Sequence, residues 1–370
     1  MNQHIIKANG DYKELGSYLA SLDLSKLLLV CDESLQFLKV KDFFDSLEND
    51  YEIKVVKFSD FQPNPLYESV VKGVEVFHKE ECDAIFAVGG GSAMDVAKCI
   101  KLYSNMDDSI NYLDQEIVPN NVKLMAMPTT AGTGSEATKF AVIYYEGVKQ
   151  SVADDSCIPS VVVFDSSALE TLPDYQKKST MLDALCHSVE SFWSVNSNEK
   201  SRDYSKQALE LILENKDGYL QNDPGANEKM LEASHIAGKA INITQTTAGH
   251  AMCYKLTSLY GIAHGHAAAL CDSKLIPFMI NNLDLCIDSR GKEFLSDIFD
   301  EMANTMGCEN QAEMADKIEE IVSELDLPKP SAKEEDFKEL VSSVNATRLK
   351  NHPVKLTEET IDMIYHQILD

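Results

Sequence analysis

Short apolar runs alternate with longer amphipathic stretches through the first half of the chain, and this alternation constrains the fold more than any other feature. Residues 67–79 and 93–103 carry apolar side chains at the three- and four-residue spacing of a helix. The runs with the length and content of strands are residues 26–31, 52–58, 83–88, 122–128 and 160–165. Because apolar strands that alternate with helices pair in parallel, with both faces covered, the sequence predicts a parallel sheet between helical layers.

The second half of the chain has a different character, since it shows helical periodicity and no further clear strand. Pro173 and Asp174 stand where a helix would begin. Helices are predicted over residues 175–193, 201–214, 227–243, 267–282, 292–306, 311–325 and 357–369. We therefore predict an α/β domain over residues 1–174 and an all-helical domain over residues 175–370.

The charge of the chain limits its partners. With a formal net charge of −27 at pH 7 and no lysine- and arginine-rich run, the chain would repel phosphate backbones and anionic membranes. We therefore expect neither nucleic acid nor a membrane as a partner. No apolar run approaches the roughly 20 residues that span a bilayer, and no secretion signal is evident. Nine cysteines without a C-x-x-C pair are typical of reduced thiols and indicate a cytoplasmic protein.

A glycine-rich turn follows the third predicted strand. Gly89, Gly90, Gly91 and Ser92 come directly before the predicted helix over residues 93–103. Glycines let a backbone approach a phosphate closely, and the N-terminus of a helix presents unpaired N–H groups and a positive dipole end. The turn is therefore a candidate phosphate site. The alternative is a tight strand-to-helix turn that binds nothing.

A second cluster of glycines and hydroxyls follows the fourth predicted strand, over residues 128–137. It matches the dinucleotide fingerprint G-x-G-x-x-A by letter only, because its strand ends at Pro128, before the hydroxyls begin. We interpret the hydroxyls as donors around a polar ligand, and a Gly/Thr-rich loop without a ligand is the alternative. The hydroxyls belong to Thr129, Thr130, Thr133 and Ser135.

Asp32 stands at the end of the first predicted strand. An acidic residue at the carboxyl end of a strand can bind a ribose hydroxyl, which favours NAD over NADP. From position alone, a cap for the segment that begins at Glu33 and Ser34 is the better interpretation.

Asp183 and His187 lie four residues apart in a predicted helix and so project from the same face. The rest of that turn is apolar, so a carboxylate and an imidazole there need partners. A pair of this kind, taken alone, is more often a satisfied buried hydrogen bond than a metal site.

Two further histidines, His250 and His264, would complete a set of one carboxylate and three imidazoles. His264 is expected in a loop just before a helix. Such a set suits a divalent first-row ion such as iron, zinc, cobalt or nickel. The ion would act as a Lewis acid on an alcohol oxygen and lower its pKa. His266 lies two residues from His264, a spacing that does not assure a shared ion, and we leave it out of the set.

These motifs and a few others occur in a fixed order along the chain. They are Gly89-Gly90-Gly91-Ser92 with Asp95 and Lys98, the run from Pro128 through Glu136, Asp183-x-x-x-His187-x-x-Glu190, His250, His264-Gly265 and Asn351-His352-Pro353. In this order they resemble the iron-containing (group III) alcohol dehydrogenases over nearly the whole chain. The resemblance implies a dehydroquinate synthase-like architecture, with the active site in the cleft between a nucleotide-binding domain and a helical domain.

The resemblance also assigns roles to residues. It implies metal ligands at Asp183, His187, His250 and His264, with Fe²⁺ as the ion and Zn²⁺ as the alternative. It implies a homodimer.

The cofactor implied by the resemblance is NAD(H) or NADP(H). The glycine turn with Asp95 would hold the pyrophosphate, and Thr129 and Thr130 would lie along the dinucleotide. Lys149 matches a lysine near the cofactor. Asp32 matches the position that meets the adenosine ribose, which favours NAD.

Tyr254 marks a departure from the family. Many members carry a further histidine at this position, four residues after the third metal ligand and beside the nicotinamide. A tyrosine can relay a proton, but its ordinary pKa near 10 makes it a poorer acid–base group at neutral pH. We expect Tyr254 to stand in the catalytic site.

The function implied is the interconversion of a small primary alcohol and its aldehyde. Residues 237–270 also resemble the phosphonoacetaldehyde reductases, which would make 2-hydroxyethylphosphonate the product. A phosphonate needs cationic or N–H donors, for which Lys255 and Arg348 are candidates. The alternatives are a zinc glycerol dehydrogenase or a dehydroquinate synthase-like lyase, against which the set of one aspartate and three histidines argues. A more remote alternative is a structural metal protein without turnover.

Overall fold

A computed structural model describes residues 3–344 and 349–369. The chain divides into two compact units. Unit 1 is formed by the chain up to Thr130 with Gly134–Leu172 and Asn222–Leu231, and unit 2 by Ala131–Thr133, Pro173–Gln221 and the chain from Glu232 onward. The units therefore do not follow sequence order throughout.

Unit 1 is built on a six-stranded sheet in which every strand pair is parallel, in the order β1-β8-β5-β4-β2-β3. Its strands are β1 (His4–Lys7), β2 (Lys26–Cys31), β3 (Lys54–Phe58), β4 (Ala84–Gly89), β5 (Lys123–Pro128) and β8 (Val161–Phe164). The predicted parallel sheet is confirmed. A separate antiparallel hairpin, which the sequence did not predict, consists of β6 (Phe140–Tyr145) and β7 (Val148–Ala153).

Helices of unit 1 cover both faces of this sheet. They are α1 (Lys13–Ala20), α2 (Val40–Tyr51), α3 (Tyr67–Lys79) and α4 (Gly91–Tyr103). Alternate side chains of β2 point to opposite faces, as a strand requires. Leu28 and Val30 join the apolar layer that includes α3 and α4, whereas Leu27 and Leu29 join the layer that includes α1 and α2. The near-continuous apolar runs of the sequence result from this burial on two sides.

Unit 2 is helical, as predicted. Its helices are α5 (Asp174–Trp193), α6 (Glu199–Leu220), α8 (Ala248–Tyr260), α9 (His264–Asn281), α10 (Lys292–Thr305), α11 (Gln311–Glu324), α12 (Glu334–Ser343) and α13 (Glu358–Leu369). Helix α7 (Pro224–Thr244) begins in the segment assigned to unit 1 and ends in unit 2. Helix α5 packs against α6 and α9, and α8 packs against α9.

Within the described residues, no helix has both the length and the apolar content needed to cross a bilayer. His264 is the first residue of α9, so the expectation that it lies in a loop before the helix is wrong by one position.

Candidate metal centre and cofactor site

Helix α5 carries three polar side chains on one face. Asp183, His187 and Glu190 stand at positions i, i+4 and i+7, which lie above one another along a helix. From Met181 to Trp193 every residue of the helix is buried, so α5 has no face in water along this stretch. These side chains must therefore find partners inside the protein.

Asp183, His187 and His250 form a compact group whose potential ligand atoms all lie within 4.8 Å of one another. Asp183 Oδ1 is 3.5 Å from His250 Nε2 and 3.9 Å from His187 Nε2. The two imidazole rings stack with their centroids 4.6 Å apart. We call these three residues the metal group.

The metal group contains polar atoms that the fold leaves unsatisfied. Among the described residues, neither Asp183 Oδ1 nor His250 Nε2 has a hydrogen-bond partner, although both are buried. Buried lone pairs without a donor are costly, and a bound cation would satisfy them. One carboxylate and two imidazoles fit a divalent transition metal.

Backbone and carboxylate groups orient both imidazoles. His250 Nδ1 lies 2.6 Å from Glu190 Oε1, and His187 Nδ1 lies 3.3 Å from the carbonyl oxygen of Gly132. Each ring then donates its Nδ1–H and turns Nε2 toward Asp183, which is the tautomer that a metal ligand requires. Glu190 also accepts hydrogen bonds from the backbone N–H groups of His250 and Thr247.

The electrostatics of the metal group favour a cation. Burial by itself would raise the pKa of Glu190, but the charge of His250 and hydrogen bonds from His250 and Thr247 lower it to about 2. The pKa of Asp183 is lowered in the same way, against its burial, by His187, His250 and His264. Burial would lower the pKa of His250, yet Glu190 and Asp183 raise it to about 10. Two buried carboxylates therefore attract positive charge to this point, as a proton or as a metal ion.

His264, the fourth predicted ligand, lies beside the metal group. Its ring centroid is 5.2 Å from that of His250, and its Nδ1 is 3.4 Å from Cys253 Sγ. Helix α9 approaches α5 closely at this point, because a Cβ on Gly265 would come within 2.1 Å of the carbonyl oxygen of Ser179. A glycine next to His264 therefore allows the contact between the helices. The role of His264 as a ligand stays a prediction.

Tyr254 lies one turn after His250 on α8, and its ring stacks on that of His264 at 5.3 Å. His266 faces Tyr175, with His266 Nδ1 3.2 Å from the hydroxyl of that tyrosine. That hydroxyl accepts a hydrogen bond from the backbone N–H of Ala263, the residue before α9. Burial lowers the pKa of His266 to about 4, so its imidazole is neutral.

In unit 1, Asp32 and the glycine turn lie where the strand order reverses. The chain leaves β2 toward β3 on one side, and β4 pairs with β2 on the other side. Ligands of open parallel sheets bind in the crevice outside the carboxyl ends of such strands. Asp32 follows β2 and Gly89 ends β4, and Asp32 Oδ2 is 3.5 Å from the place where a Cβ on Gly89 would lie.

Backbone geometry requires a glycine at the first position of the glycine turn. Gly89 has φ of +155°, and a Cβ on it would lie 2.7 Å from Ala93 Cβ. Gly90 is the residue before α4. Because it has no side chain, no side-chain cap binds the first N–H groups of the helix. Thr129 N donates to the carbonyl of Gly89 at 3.1 Å, and Thr130 Oγ1 would be 3.6 Å from a Cβ on Gly90. The structure thus brings the two predicted phosphate segments together.

Three residues near this turn are engaged in the protein itself. Asp95 accepts hydrogen bonds from Ser135 Oγ at 3.1 Å and from Val142 N at 3.1 Å. Lys98, which is fully buried, donates to Ser135 Oγ at 2.9 Å and to the carbonyl of Phe140 at 2.7 Å. These bonds tie α4 to the segment that leads into β6. The roles of Asp95 and Ser135 as cofactor contacts stay predictions.

The remaining predicted residues have separate positions. Lys149 lies on β7, near enough to Asp95 for its charge to lower the pKa of that carboxyl. Thr133 belongs to the short segment counted in unit 2, next to Gly132. Asp32 Oδ1 accepts a hydrogen bond from Ser34 N at 2.8 Å, so the helix cap is present. A cavity of about 450 Å³ opens beside Asp32, and it is lined by Cys31, Asp32, Glu33, Leu35, Gln36, Lys41, Lys57 and Ser59.

Sequence reasoning assigned no role to Glu190, Gly132 or Asp272. Glu190 could have been found, because it continues the polar face of α5 begun by Asp183 and His187. The carbonyl of Gly132 and the carboxyl of Asp272 reach this region through tertiary packing, for which no spacing rule gives a signal.

Both parts of the chain match models of one protein family. Residues 2–166 match the model of the iron-containing alcohol dehydrogenases. Residues 177–369 match the model of the C-terminal region of the Fe-containing alcohol dehydrogenase family. The chain therefore belongs to the iron-containing alcohol dehydrogenase family, whose members are oxidoreductases. Family membership implies a divalent metal and a nicotinamide cofactor.

Individual relatives support this assignment. Alcohol dehydrogenase 4 of Schizosaccharomyces pombe is 31% identical over 356 residues, which cover 91% of this chain and 81% of that protein. Aldehyde-alcohol dehydrogenase 2 of Entamoeba histolytica is 34% identical over 283 residues, 71% of this chain but 32% of that protein, so this chain spans about a third of its length. The crystal structure of sulfoacetaldehyde reductase from Bifidobacterium kashiwanohense with NAD⁺ is 28% identical and superposes with a TM-score of 0.85, covering 99% of this chain and 96% of that one.

Proposed function

We propose that the protein catalyses the metal-dependent, NAD-linked interconversion of a small aldehyde and its primary alcohol. One observation carries the proposal. Asp183 Oδ1 and His250 Nε2 are buried, face each other at 3.5 Å and have no hydrogen-bond partner among the described residues. A fold that satisfied itself without a ligand would not leave both atoms in this state.

The proposed ligands are Asp183, His187, His250 and His264. A bound divalent ion would supply a Lewis acid that polarises the oxygen of the alcohol or aldehyde. The chain's own groups prepare the site. Glu190 fixes the ring of His250, the Gly132 carbonyl fixes that of His187, and burial excludes water, which strengthens each electrostatic contact.

We assign the proton relay to Tyr254, whose ring stacks on His264. Its hydroxyl would give a proton to the oxygen during aldehyde reduction and take one during alcohol oxidation.

The cofactor residues support NAD over NADP. Asp32 and Glu33 place two carboxyl groups in the cavity at the end of β2, where a 2′-phosphate would meet negative charge. Lys41 and Lys57 also line this cavity, and Lys41 is paired with Asp45. Relatives include an NAD-dependent methanol dehydrogenase and an NADPH-dependent butanol dehydrogenase, so the family accommodates both cofactors. We propose ferrous iron as the ion. Zinc is the alternative, because nitrogen and oxygen sites bind it more tightly than iron.

For the substrate, we propose testing two-carbon aldehydes with an anionic head group first. The support is the similarity to a sulfoacetaldehyde reductase and the phosphonoacetaldehyde reductase-like segment over residues 237–270. Lys255, a candidate for the head group, forms an ion pair with Glu339. Lys255 is therefore not the unpaired cation that a phosphonate would need, and Arg348, the other candidate, lies outside the described residues.

The experiment is reconstitution with ferrous iron, and separately with zinc, under anaerobic conditions. Oxidation of NADH and of NADPH is then followed with phosphonoacetaldehyde, sulfoacetaldehyde, acetaldehyde and butanal. Selective turnover of the anionic aldehydes with NADH is expected. Turnover of uncharged aldehydes alone would keep the enzyme class and remove the head group from the proposal. If neither ion supports turnover, the remaining hypotheses for the site are a glycerol dehydrogenase, a dehydroquinate synthase-like lyase and a structural metal protein.

We propose that the protein acts in the cytoplasm as a homodimer. None of the nine cysteines, all of them in the described part of the chain, forms a disulfide, and eight are buried, which suits a reducing compartment. Sedimentation of the metal-loaded protein at several concentrations tests the homodimer, and a concentration-independent monomer would contradict it.

A further inference from the structure

Beside Glu190 lies a third buried carboxyl, that of Asp272 on α9. Asp272 is 1% exposed and Glu190 is fully buried. A Cβ on Gly249 would lie 2.0 Å from Asp272 Oδ1 and 2.6 Å from Glu190 Oε1, so both oxygens approach the same point beside α8. Two acidic side chains therefore meet in an interior that water does not reach.

The two carboxyls have unequal surroundings. Glu190 accepts hydrogen bonds from His250 Nδ1, from His250 N and from Thr247 N. No N–H or O–H group among the described residues donates to either carboxyl oxygen of Asp272, and the donor beside it is the Cys186 thiol. The donors stabilise a charge on Glu190, whereas a charge on Asp272 would be buried with only a thiol, a weak donor, to compensate it.

Two neighbouring buried carboxyls of this kind hold one proton between them. The N–H groups around Glu190 place that proton on the other carboxyl. Consistently, burial and then the charge of Glu190 raise the pKa of Asp272 well above its ordinary value. The Cys186 thiol is also near, and burial raises its pKa, so it remains neutral.

We propose that Asp272 is a positioning residue, a neutral acid that donates its proton in a hydrogen bond to Glu190 and so keeps Glu190 directed at His250. The inference rests on the proposed function only in taking His250 as a metal ligand. Asp272 touches neither the ion nor the substrate. It approaches Glu190 at Oε1, the oxygen that also faces His250 Nδ1, so a loss of this support would be felt at the metal through two hydrogen bonds.

The test compares Asp272→Asn with Asp272→Leu. Asparagine is neutral and keeps an N–H donor for Glu190, whereas leucine keeps a similar size and removes the donor. The dissociation constant for Zn²⁺ is measured by competition with a chromophoric chelator, and the Zn²⁺ content per chain by elemental analysis. Asp288→Asn is the matched control, because Asp288 is also buried but binds Arg290 away from the metal group.

We expect Asp272→Asn and Asp288→Asn to bind Zn²⁺ within about twofold of the unchanged protein. Asp272→Leu should bind about tenfold more weakly, the lower end of what outer partners of ligands contribute. If Asp272→Asn binds as weakly as Asp272→Leu, the side chain acts as a carboxylate and the proposal is wrong. Unchanged binding by Asp272→Leu, or a second Zn²⁺ per chain that Asp272→Asn removes, would also overturn it.

An infrared measurement keeps the proposal testable if Asp272→Leu does not fold. Protein labelled with ¹³C-aspartate should show, at pH 8, a shifted carbonyl band of a protonated carboxylic acid that Asp272→Asn lacks. Absence of that band from the unchanged protein would contradict a neutral Asp272. Both readouts are independent of turnover. A protein that binds Zn²⁺ as expected but reduces no aldehyde would end the proposed function and leave this inference standing.

Discussion

The metal group and the glycine turn are built on opposite principles. The metal group consists of side chains on buried helices, and its unsatisfied atoms are a carboxylate oxygen and an imidazole nitrogen. The turn between β4 and α4 consists of backbone, and what it offers is N–H groups left uncapped where a side chain is absent. The metal group therefore depends on which side chains are present, and the glycine turn depends on the absence of side chains.

The two sites are therefore sensitive to different substitutions. Replacement of a ligand side chain should abolish metal binding and leave the turn intact. Addition of a single methyl group to the turn should weaken cofactor binding and leave metal binding unchanged.

The largest effect is expected for Asp183→Asn. The amide keeps the size of the side chain but removes the charge that faces both imidazoles, so the metal content should fall to near zero. Turnover should fall about a thousandfold, because a Lewis acid contributes several kcal/mol to the barrier. Elemental analysis and steady-state rates measure both, and the affinity for NADH should stay within about twofold by fluorescence titration. Full metal content in Asp183→Asn would contradict the ligand assignment.

Tyr254→Phe should separate proton transfer from metal binding. Loss of the hydroxyl should lower kcat for aldehyde reduction about a hundredfold, within the range of general acid catalysis, with metal content and NADH affinity unchanged. Tyr260→Phe is the control, since that hydroxyl, on the same helix, donates to Asp336. Equal rates for Tyr254→Phe and Tyr260→Phe would show that the proton takes another route.

Gly90→Ala addresses the turn. A Cβ there would meet Thr130 atoms at 3.5 and 3.6 Å, which is ordinary contact, so the fold should tolerate it. The methyl group would occupy space that a pyrophosphate needs. We expect the KM for NADH to rise about tenfold, the equivalent of one lost hydrogen bond to a charged group, while the metal content does not change. Gly225→Ala, in the same unit, is the control. A KM that does not change would mean that the phosphates bind elsewhere.

The smallest effect concerns Asp95, whose carboxyl joins α4 to the loop after β5. Burial raises the pKa of Asp95 to about 6 from an unfolded value of 3.8, despite the opposing charge of Lys98. The folded protein therefore binds this proton more tightly, and the contribution of Asp95 to stability falls as pH rises from about 4 to about 6. The urea midpoint of the unchanged protein, measured relative to that of Asp95→Asn, should therefore fall as pH rises through this range. If the urea midpoints of the two proteins differ by the same amount at every pH, the pKa of Asp95 is not raised in the folded protein.

Much of the sheet could be predicted because its strands are buried on both faces and therefore read as continuous apolar runs. The strand predicted at 26–31 has the bounds of β2, and the one at 122–128 differs from β5 by one residue. Strand β1 has four residues, too few to stand out, and β7 reads Val-Lys-Gln-Ser-Val-Ala, a polar edge. Helix α8 was not predicted, because its own sequence carries apolar and small residues around the helix and shows no clear amphipathic periodicity.

The site was predictable as far as helical spacing reaches. Asp183 and His187 share a helix face because of their spacing, and His250 and His264 were assigned as ligands from the family resemblance. The contact between His187 and the Gly132 carbonyl joins residues 55 positions apart and requires the folded unit. The same holds for Asp272, whose proximity to Glu190 depends on how closely α8 and α9 approach α5.

The assignment of Ala131–Thr133 to unit 2 has a consequence for how such genes can be exchanged. A single crossover near residue 174 would give the second unit of one parent the Gly132 segment of the other. A glycine at that point is held against Thr180, where a Cβ would come within 2.6 Å of a carbonyl oxygen. Recombinants between distant relatives should therefore combine the metal group of one parent with the Gly132 segment of the other. Whether they fold and bind metal should depend on the three residues Ala131–Thr133, which a division of the sequence near residue 174 would assign to the wrong parent.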